Sequence, residues 1–174
     1  LSLCEEWKAQ GKIRYLGFSF HDEYAVFEEI LSSRKWDFCQ IQYNYMDREE
    51  QAGDRGYVLA ERLEIPMIVM EPIKGGLLGV LPEDLTAILQ KVNPNASTAS
   101  WALRWVGTHK NVKIILSGMS NYQQVMDNLE TFAKFQPISK EEEQLIEQVA
   151  DTIKKRMKNG CTGCEYCMPC PFGV

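Results

Sequence analysis

Ile65-Pro-Met-Ile-Val-Met70 is a short run in which every side chain is apolar. Such a run is typical of a β-strand that is buried on both faces, as the strands of parallel sheets are. A helix of this length would be too short, because most helices in globular proteins extend over about ten residues or more. We therefore expect a strand at residues 65–70, inside a parallel sheet that is covered on both sides.

Three further strands are predicted on either side of this run, at residues 13–18, 38–43 and 112–116. Helical patterns separate them, and a glycine-rich turn follows Pro72. Strands that alternate with helices indicate βα units and hence a parallel sheet. Four such units are consistent either with an open, doubly wound α/β sheet or with half of an eight-stranded barrel. The pattern alone does not separate these two folds.

Capping motifs mark the starts of the last two predicted helices. Ser120 with Gln123, and Ser139 with Glu142, have the spacing of capping boxes. The first of these helices is expected to bury Val125, Leu129 and Phe132. The second is expected to bury a stripe made of Leu145, Val149, Ile153 and Met157.

Four of the six cysteines lie close to the end of the chain, at Cys161, Cys164, Cys167 and Cys170, and Pro171 follows the last of them. This even spacing lets one turn of backbone direct several thiolates to a single point. Clustered cysteines that end in Cys-Pro are typical of iron–sulfur ligation, although the bacterial ferredoxin motif has three residues before its last cysteine and this chain has two. A zinc site and unreactive thiols remain the alternatives.

Composition limits the possible partners. The chain has 174 residues, of which 45% are hydrophobic and 25% are charged, and its net charge is -5. An acidic chain without a basic segment is not expected to bind nucleic acid. No apolar run approaches the length of a membrane span, and free thiols suit a reducing, cytoplasmic location. Because the chain starts at Leu1 rather than Met, we expect it to be a piece of a longer protein.

Four motifs at the strand ends resemble those of the aldo/keto reductase family. Residues 11–19, Gly-Lys-Ile-Arg-Tyr-Leu-Gly-Phe-Ser, are similar to the family's fifth-strand motif. Residues 40–44, Gln-Ile-Gln-Tyr-Asn, resemble its sixth-strand motif. Residues 70–78 resemble the seventh strand with its glycine turn, and residues 115–128 resemble the eighth strand and the helix after it. The four motifs occur in the family's order and with its spacing.

The resemblance implies the second half, strands five to eight, of a (β/α)8 TIM barrel. In this interpretation residues 1–136 are the half-barrel, 137–158 form a connecting helix, and 159–174 form a cysteine-rich tail. The tail resembles the family subgroup with a ferredoxin-like C-terminal extension. That similarity implies a 4Fe-4S cluster held by the four cysteines, together with an electron-transfer partner.

In the family, hydride passes between a nicotinamide cofactor, NAD or NADP, and a small-molecule carbonyl substrate. The acid tyrosine and its partners come from the first four strands, so the resemblance implies no catalytic residue in this chain. Functional groups of such barrels sit at the C-terminal ends of the strands. Ser19 and Gln40 match the residues that hold the nicotinamide carboxamide. The other matches are Lys74, Gly75 and Gly76 beside the pyrophosphate, and Ser117, Asp127 and Asn128 on the adenosine side.

Two positions bear on the choice of nucleotide. The family's basic pair, which grips a 2′-phosphate, is replaced here by Gly118 and Gln124. The resemblance therefore favours NAD over NADP. A non-catalytic alternative is also open, in which the barrel is a scaffold for a cluster that transfers electrons, because a fold does not fix a function.

Overall fold

The computed structural model describes residues 1–157, which divide into two compact units. The first unit contains residues 1–43, 47–72 and 109–118. Its elements are α1 (Ser2–Ala9), β1 (Gly17–Phe20), α2 (Tyr24–Ser32), β2 (Phe38–Gln42), α3 (Gly53–Arg62), β3 (Met67–Met70) and β4 (Val112–Ile115). The four strands form one parallel sheet in the order β1-β2-β3-β4, which confirms the parallel α/β prediction.

The two faces of this sheet differ in exposure. Cys39 and Ile41 of β2, and Met67 and Val69 of β3, are almost completely buried on one face. The intervening side chains form the opposite face, which we call the open face. Its residues in the four strands are Gly17, Ser19, Phe38, Gln40, Gln42, Ile68, Met70 and Ile114. The predicted burial of residues 65–70 on both faces is confirmed for one face only, because Ile68 and Met70 on the other face are half-buried.

The first strand begins later than predicted. Residues 13–16 precede the strand, and Gly17 pairs with Phe38 of the neighbouring strand. A Cβ atom on Gly17 would lie 2.5 Å from both the ring and the carbonyl oxygen of Phe38, so only glycine fits there. Asp37 anchors the residues just before this pair, since its carboxylate accepts hydrogen bonds from the Leu16 amide and the Lys8 ammonium. The hydrogen bond from Lys8 lowers the pKa of Asp37.

The described part of the second unit contains residues 44–46, 73–108 and 119–157, and its elements are all helical. They are a 3-10 helix at Lys74–Gly79, α4 (Glu83–Gln90), α5 (Thr98–Thr108), α6 (Tyr122–Ala133) and α7 (Lys140–Arg156). Trp101, Leu103 and Trp105 of α5 are buried in its core. No helix in residues 1–157 is both long enough and apolar enough to cross a membrane.

One of the two predicted helix starts is confirmed. Ser139 and Glu142 form a capping box at the start of α7. At the start of α6, the cap is Asn121 instead of Ser120, because the Asn121 side chain accepts from the amide of Gln124 at 3.0 Å. Asparagine caps helices as well as serine does, so the prediction chose the wrong one of two adjacent capping residues.

The burial predicted for α6 is wrong. The helix buries no residue, and Leu129 and Phe132 are 59% and 42% exposed. Tyr122 and Met126 are exposed on the same helix, so α6 presents an apolar surface that the described residues do not cover. In the stripe predicted for α7, Val149 and Ile153 are buried as expected, whereas Leu145 and Met157 are half-buried. Ile146 and Ala150 complete the buried set.

A nearly buried ion pair joins α5 to α7. The Nη2 atom of Arg104 donates to both oxygens of Glu142 at 3.0 and 2.9 Å, and its Nε donates to the carbonyl oxygen of Gln136 at 2.8 Å. The side chains of Arg104 and Glu142 are only 9% and 13% exposed. The same glutamate closes the capping box of α7, so one carboxylate both starts the helix and attaches it to α5.

Candidate functional site

The clearest candidate site lies on the open face, where β1 and β2 run side by side. Ser19 pairs in register with Gln40, and the Gln40 Nε2 atom donates to the Ser19 hydroxyl at 3.2 Å. Neighbouring in-register residues of a parallel sheet point to the same face, which brings these two predicted site residues together. Met70, on the next strand, places its sulfur 3.6 Å from the same amide nitrogen.

These contacts define the orientation in which the Gln40 amide lies. Its nitrogen faces Ser19 and Met70, and both of its hydrogen bonds to residues 1–157 are made by this nitrogen and not by the oxygen Oε1. Gln40 is half-buried and Ser19 is exposed. In this orientation the amide oxygen can accept a hydrogen bond, as the N–H groups of a carboxamide ligand require. The chemistry of this pair therefore fits the predicted nicotinamide contact.

The turn after β3 has an unusual backbone. Lys74, Gly75 and Gly76 follow one another with φ angles of 47°, 59° and 98°. Consecutive residues in this left-handed region favour glycine, which adopts positive φ angles without steric cost. One N–H of the turn is engaged, since Gly76 donates to the carbonyl oxygen of Ile73 at 3.1 Å. The glycines are thus explained by the backbone of this turn, and its role as a phosphate turn stays a prediction.

Asp127, one of the residues predicted to contact the adenosine part of the cofactor, has a structural role in the fold. Its carboxylate accepts from the Ser97 hydroxyl at 2.6 Å, and that hydroxyl in turn caps α5 by accepting from the Ser100 amide at 2.9 Å. Asp127 also lines a polar cavity of about 530 Å³ within the second unit, together with Arg104 and Glu130. The neighbouring Asn128 is half-buried on α6. Ser117, in the first unit, is half-buried two residues after β4.

A cluster that the sequence did not predict surrounds Tyr43. Its hydroxyl donates to Asp54 at 2.6 Å and lies 3.3 Å from the Nε2 atom of His109, and Arg48 pairs with the same aspartate. The ring is parallel to that of Tyr57. Residues 43 and 109 are far apart in the chain, so only the fold reveals the cluster.

The cluster does not place an acid on the open face. Tyr43 is 1% exposed, and its burial strongly raises its pKa. The Asp54 carboxylate, which accepts the tyrosine proton in a hydrogen bond, raises this pKa further. A general acid must reach its substrate. Tyr43 is therefore a structural residue and not an acid that a ligand on the open face could reach.

The four clustered cysteines lie outside the described residues. Within residues 1–157, no group of three or more His, Cys, Asp or Glu side chains is arranged to hold a metal ion. Of the two remaining cysteines, Cys39 is fully buried and burial raises its pKa to about 12, which makes it an unreactive core residue. Cys4 is half-buried.

Comparison with known proteins identifies the class to which this fold and site belong. The model of the aldo/keto reductase family matches residues 1–151. The chain belongs to the aldo/keto reductase family. A search of curated proteins gave no significant match.

Several solved structures are similar to the chain. The aldo-keto reductase AKR11C1 from Bacillus halodurans is 25% identical, with a TM-score of 0.65 over 83% of this chain and 53% of its own. An aldo-keto reductase from Klebsiella pneumoniae, solved in complex with NADPH, is 20% identical, with a TM-score of 0.63 over 84% and 51%. The thermostable aldo-keto reductase Tm1743 is 24% identical over 86% and 53%, at a TM-score of 0.65. The chain spans about half the length of these structures.

Proposed function

We propose that this chain is the cofactor-binding, C-terminal half of an NAD(P)-dependent aldo/keto reductase, whose upstream half supplies the catalytic acid. Three observations support the proposal: the family match, the half-length coverage of the similar structures, and the open face of the sheet. A sheet with one uncovered face and two free edges is what four strands of an eight-stranded barrel would leave. Residues 1–136 are the half-barrel, and α7 belongs to the connecting segment at 137–158.

The observation that carries the proposal is the Ser19–Gln40 pair. With its nitrogen held by Ser19 and Met70, Gln40 offers Oε1 to the N–H groups of the nicotinamide carboxamide. Ser19 is exposed beside it and can bond the same group. A bound nicotinamide supplies the hydride, and these residues only orient its ring. The substrate is a small carbonyl compound.

The remaining matched residues are assigned to the rest of the cofactor. Lys74, Gly75 and Gly76 contribute a cation and the left-handed turn that suits the pyrophosphate. The adenosine part is assigned to the residues Ser117, Asp127 and Asn128. Asp127 keeps its bond to Ser97 in this role, since a carboxylate has a second oxygen with which to accept.

We expect the longer protein to bind NADH at least as tightly as NADPH. Gly118 and Gln124 offer no positive charge to a 2′-phosphate, and charge-assisted hydrogen bonds of that kind contribute about 1.5–3 kcal/mol each. Calorimetric titration with both nucleotides measures the difference. The variant Gln124→Arg should tighten NADPH binding by about tenfold or more and leave NADH binding unchanged. NADPH bound tenfold more tightly than NADH by the unchanged protein would contradict the assignment.

For the tail at residues 159–174, we propose a 4Fe-4S cluster held by Cys161, Cys164, Cys167 and Cys170. The support comes from the spacing of the cysteines in the sequence. Such a cluster passes single electrons, so an electron-transfer partner and a reducing, cytoplasmic location follow from it. Iron and acid-labile sulfide in protein purified without oxygen test the cluster. Stoichiometric zinc in their place would refute it.

The second candidate is a non-catalytic electron-transfer or interaction module that uses the barrel as a scaffold. One observation favours it: the described residues of the open face include no group suited to donate a proton at neutral pH. Nucleotide binding separates the two functions, because a module that only carries a cluster has no need to bind NADH.

A further inference from the structure

A second polar network lies on the open face, two residues beyond Gln40 along β2. Gln42 is half-buried, and its Nε2 atom donates to a carboxylate oxygen of Asp47 at 2.5 Å. Its oxygen accepts from Gln51 Nε2 at 2.9 Å. Asp47 is 4% exposed, so the carboxylate that receives this hydrogen bond is shielded from water.

The direction of every hydrogen bond in this network is fixed. An ionised carboxylate only accepts, so Gln42 must turn its nitrogen to Asp47 and its oxygen to Gln51. Gln51 must then turn its own nitrogen toward the Gln42 oxygen. This leaves the Gln51 Oε1 atom buried without a partner in the described chain. An unpaired buried oxygen costs stability. Neither amide can flip without placing two oxygens face to face.

The backbone around this network is also strained. Gln51 has a φ angle of 52°, which is rare for a residue that is not glycine. Two residues later, Gly53 has a φ angle of 49°, and a Cβ atom there would lie 2.3 Å from the carbonyl oxygen of Arg48. Unfavourable backbone angles that coincide with an unpaired polar atom are characteristic of functional positions. The loop therefore holds Gln42 in one orientation at a cost to stability.

We propose that Gln42 is a second ligand-binding residue of the open face, and that Asp47 and Gln51 are its positioning residues. The inference rests on the proposed function. An amide nitrogen carries two hydrogens, and only one of those on Gln42 has an acceptor among residues 1–157. The second hydrogen donates to an oxygen of the ligand. Residues two apart on a strand are separated by roughly 6.6 Å, so this oxygen lies about that far from the group that Gln40 holds.

The ligand oxygen has two possible sources, the ribose of the nicotinamide nucleotide and the carbonyl substrate. The variant Gln42→Met in the longer protein keeps the length of the side chain and removes the donor. NADH binding weakened roughly threefold to tenfold assigns the ribose. If the NADH affinity is unchanged, while KM for the carbonyl rises by the same factor and kcat is retained, the ligand oxygen belongs to the substrate.

Two further variants separate binding from folding. Asp47→Asn lets the Gln42 amide turn, so it should weaken the same step by a smaller factor. Ile41→Val changes the covered face of the same strand and should leave both constants unchanged. The inference is overturned if Gln42→Met has no effect on either constant, or if Ile41→Val has an equal effect. Failure of the unchanged protein to bind NADH would overturn the proposed function and this inference together.

Discussion

The 174-residue chain alone should show no measurable carbonyl reduction, and activity should appear when the upstream half is restored or co-expressed. The described residues of the open face offer serine, glutamine and methionine side chains but no proton donor. Tyr43, which has the right chemistry, is buried and bonded to Asp54. Under the proposed function, the acid is supplied by the upstream half.

The same experiment tests the surface that the missing half would cover. In the first unit, Ile114 and Leu116 are 51% and 42% exposed at the β4 side of the sheet. Exposed apolar surface and free sheet edges promote association, so the chain alone should aggregate or self-pair. Co-expression should instead give a stable complex with one copy of each half. The assay is NADH oxidation with a panel of aldehydes and ketones. Turnover by the chain alone at the rate of the longer protein would show that the active site is misplaced.

The variant Arg104→Met should lower the free energy of unfolding by about 3–5 kcal/mol, because it leaves the nearly buried Glu142 carboxylate and the Gln136 carbonyl without their partner. Chemical denaturation of the longer protein measures the loss. Adding Glu142→Gln to Arg104→Met should recover part of it, since glutamine removes the unpaired charge and still completes a capping box.

The chain offers a matched control for this prediction. Arg156 also pairs with a carboxylate in two contacts, those to Asp84, but these side chains are 51% and 57% exposed. Exposed ion pairs contribute little, so Arg156→Met should have a much smaller effect. Equal effects of Arg104→Met and Arg156→Met would show that burial does not determine the strength of the α5–α7 link.

The order of strands and helices was predictable because local patterns determine it. The run at 65–70 and the capping box at Ser139 each depend on residues close together in the chain. The register of Gly17 against Phe38 was not predictable, since it depends on a close approach between two strands. The exposure of α6 was missed for a similar reason. An apolar helix face predicts that other residues pack against it. It does not show whether those residues belong to the described chain.

The candidate site also has a part that the sequence predicted and a part that it did not. Ser19 and Gln40 were identified from motifs at the strand ends, and the sheet brings them into contact. The Asp47–Gln42–Gln51 network was missed, because its members are common polar residues without a spacing that marks them. The left-handed φ angle of Gln51 gives no signal in the sequence.

Titration of NADH into the longer protein tests the central claim most directly. We predict saturable binding with one nucleotide per chain, and roughly tenfold weaker binding by Gln40→Leu, which removes the carboxamide acceptor from the open face. The unchanged Ser19 and the phosphate turn at Lys74 should preserve the remaining affinity. Absence of NADH binding, or equal affinity of the unchanged protein and Gln40→Leu, would contradict the assignment of this chain as the cofactor-binding half of the barrel.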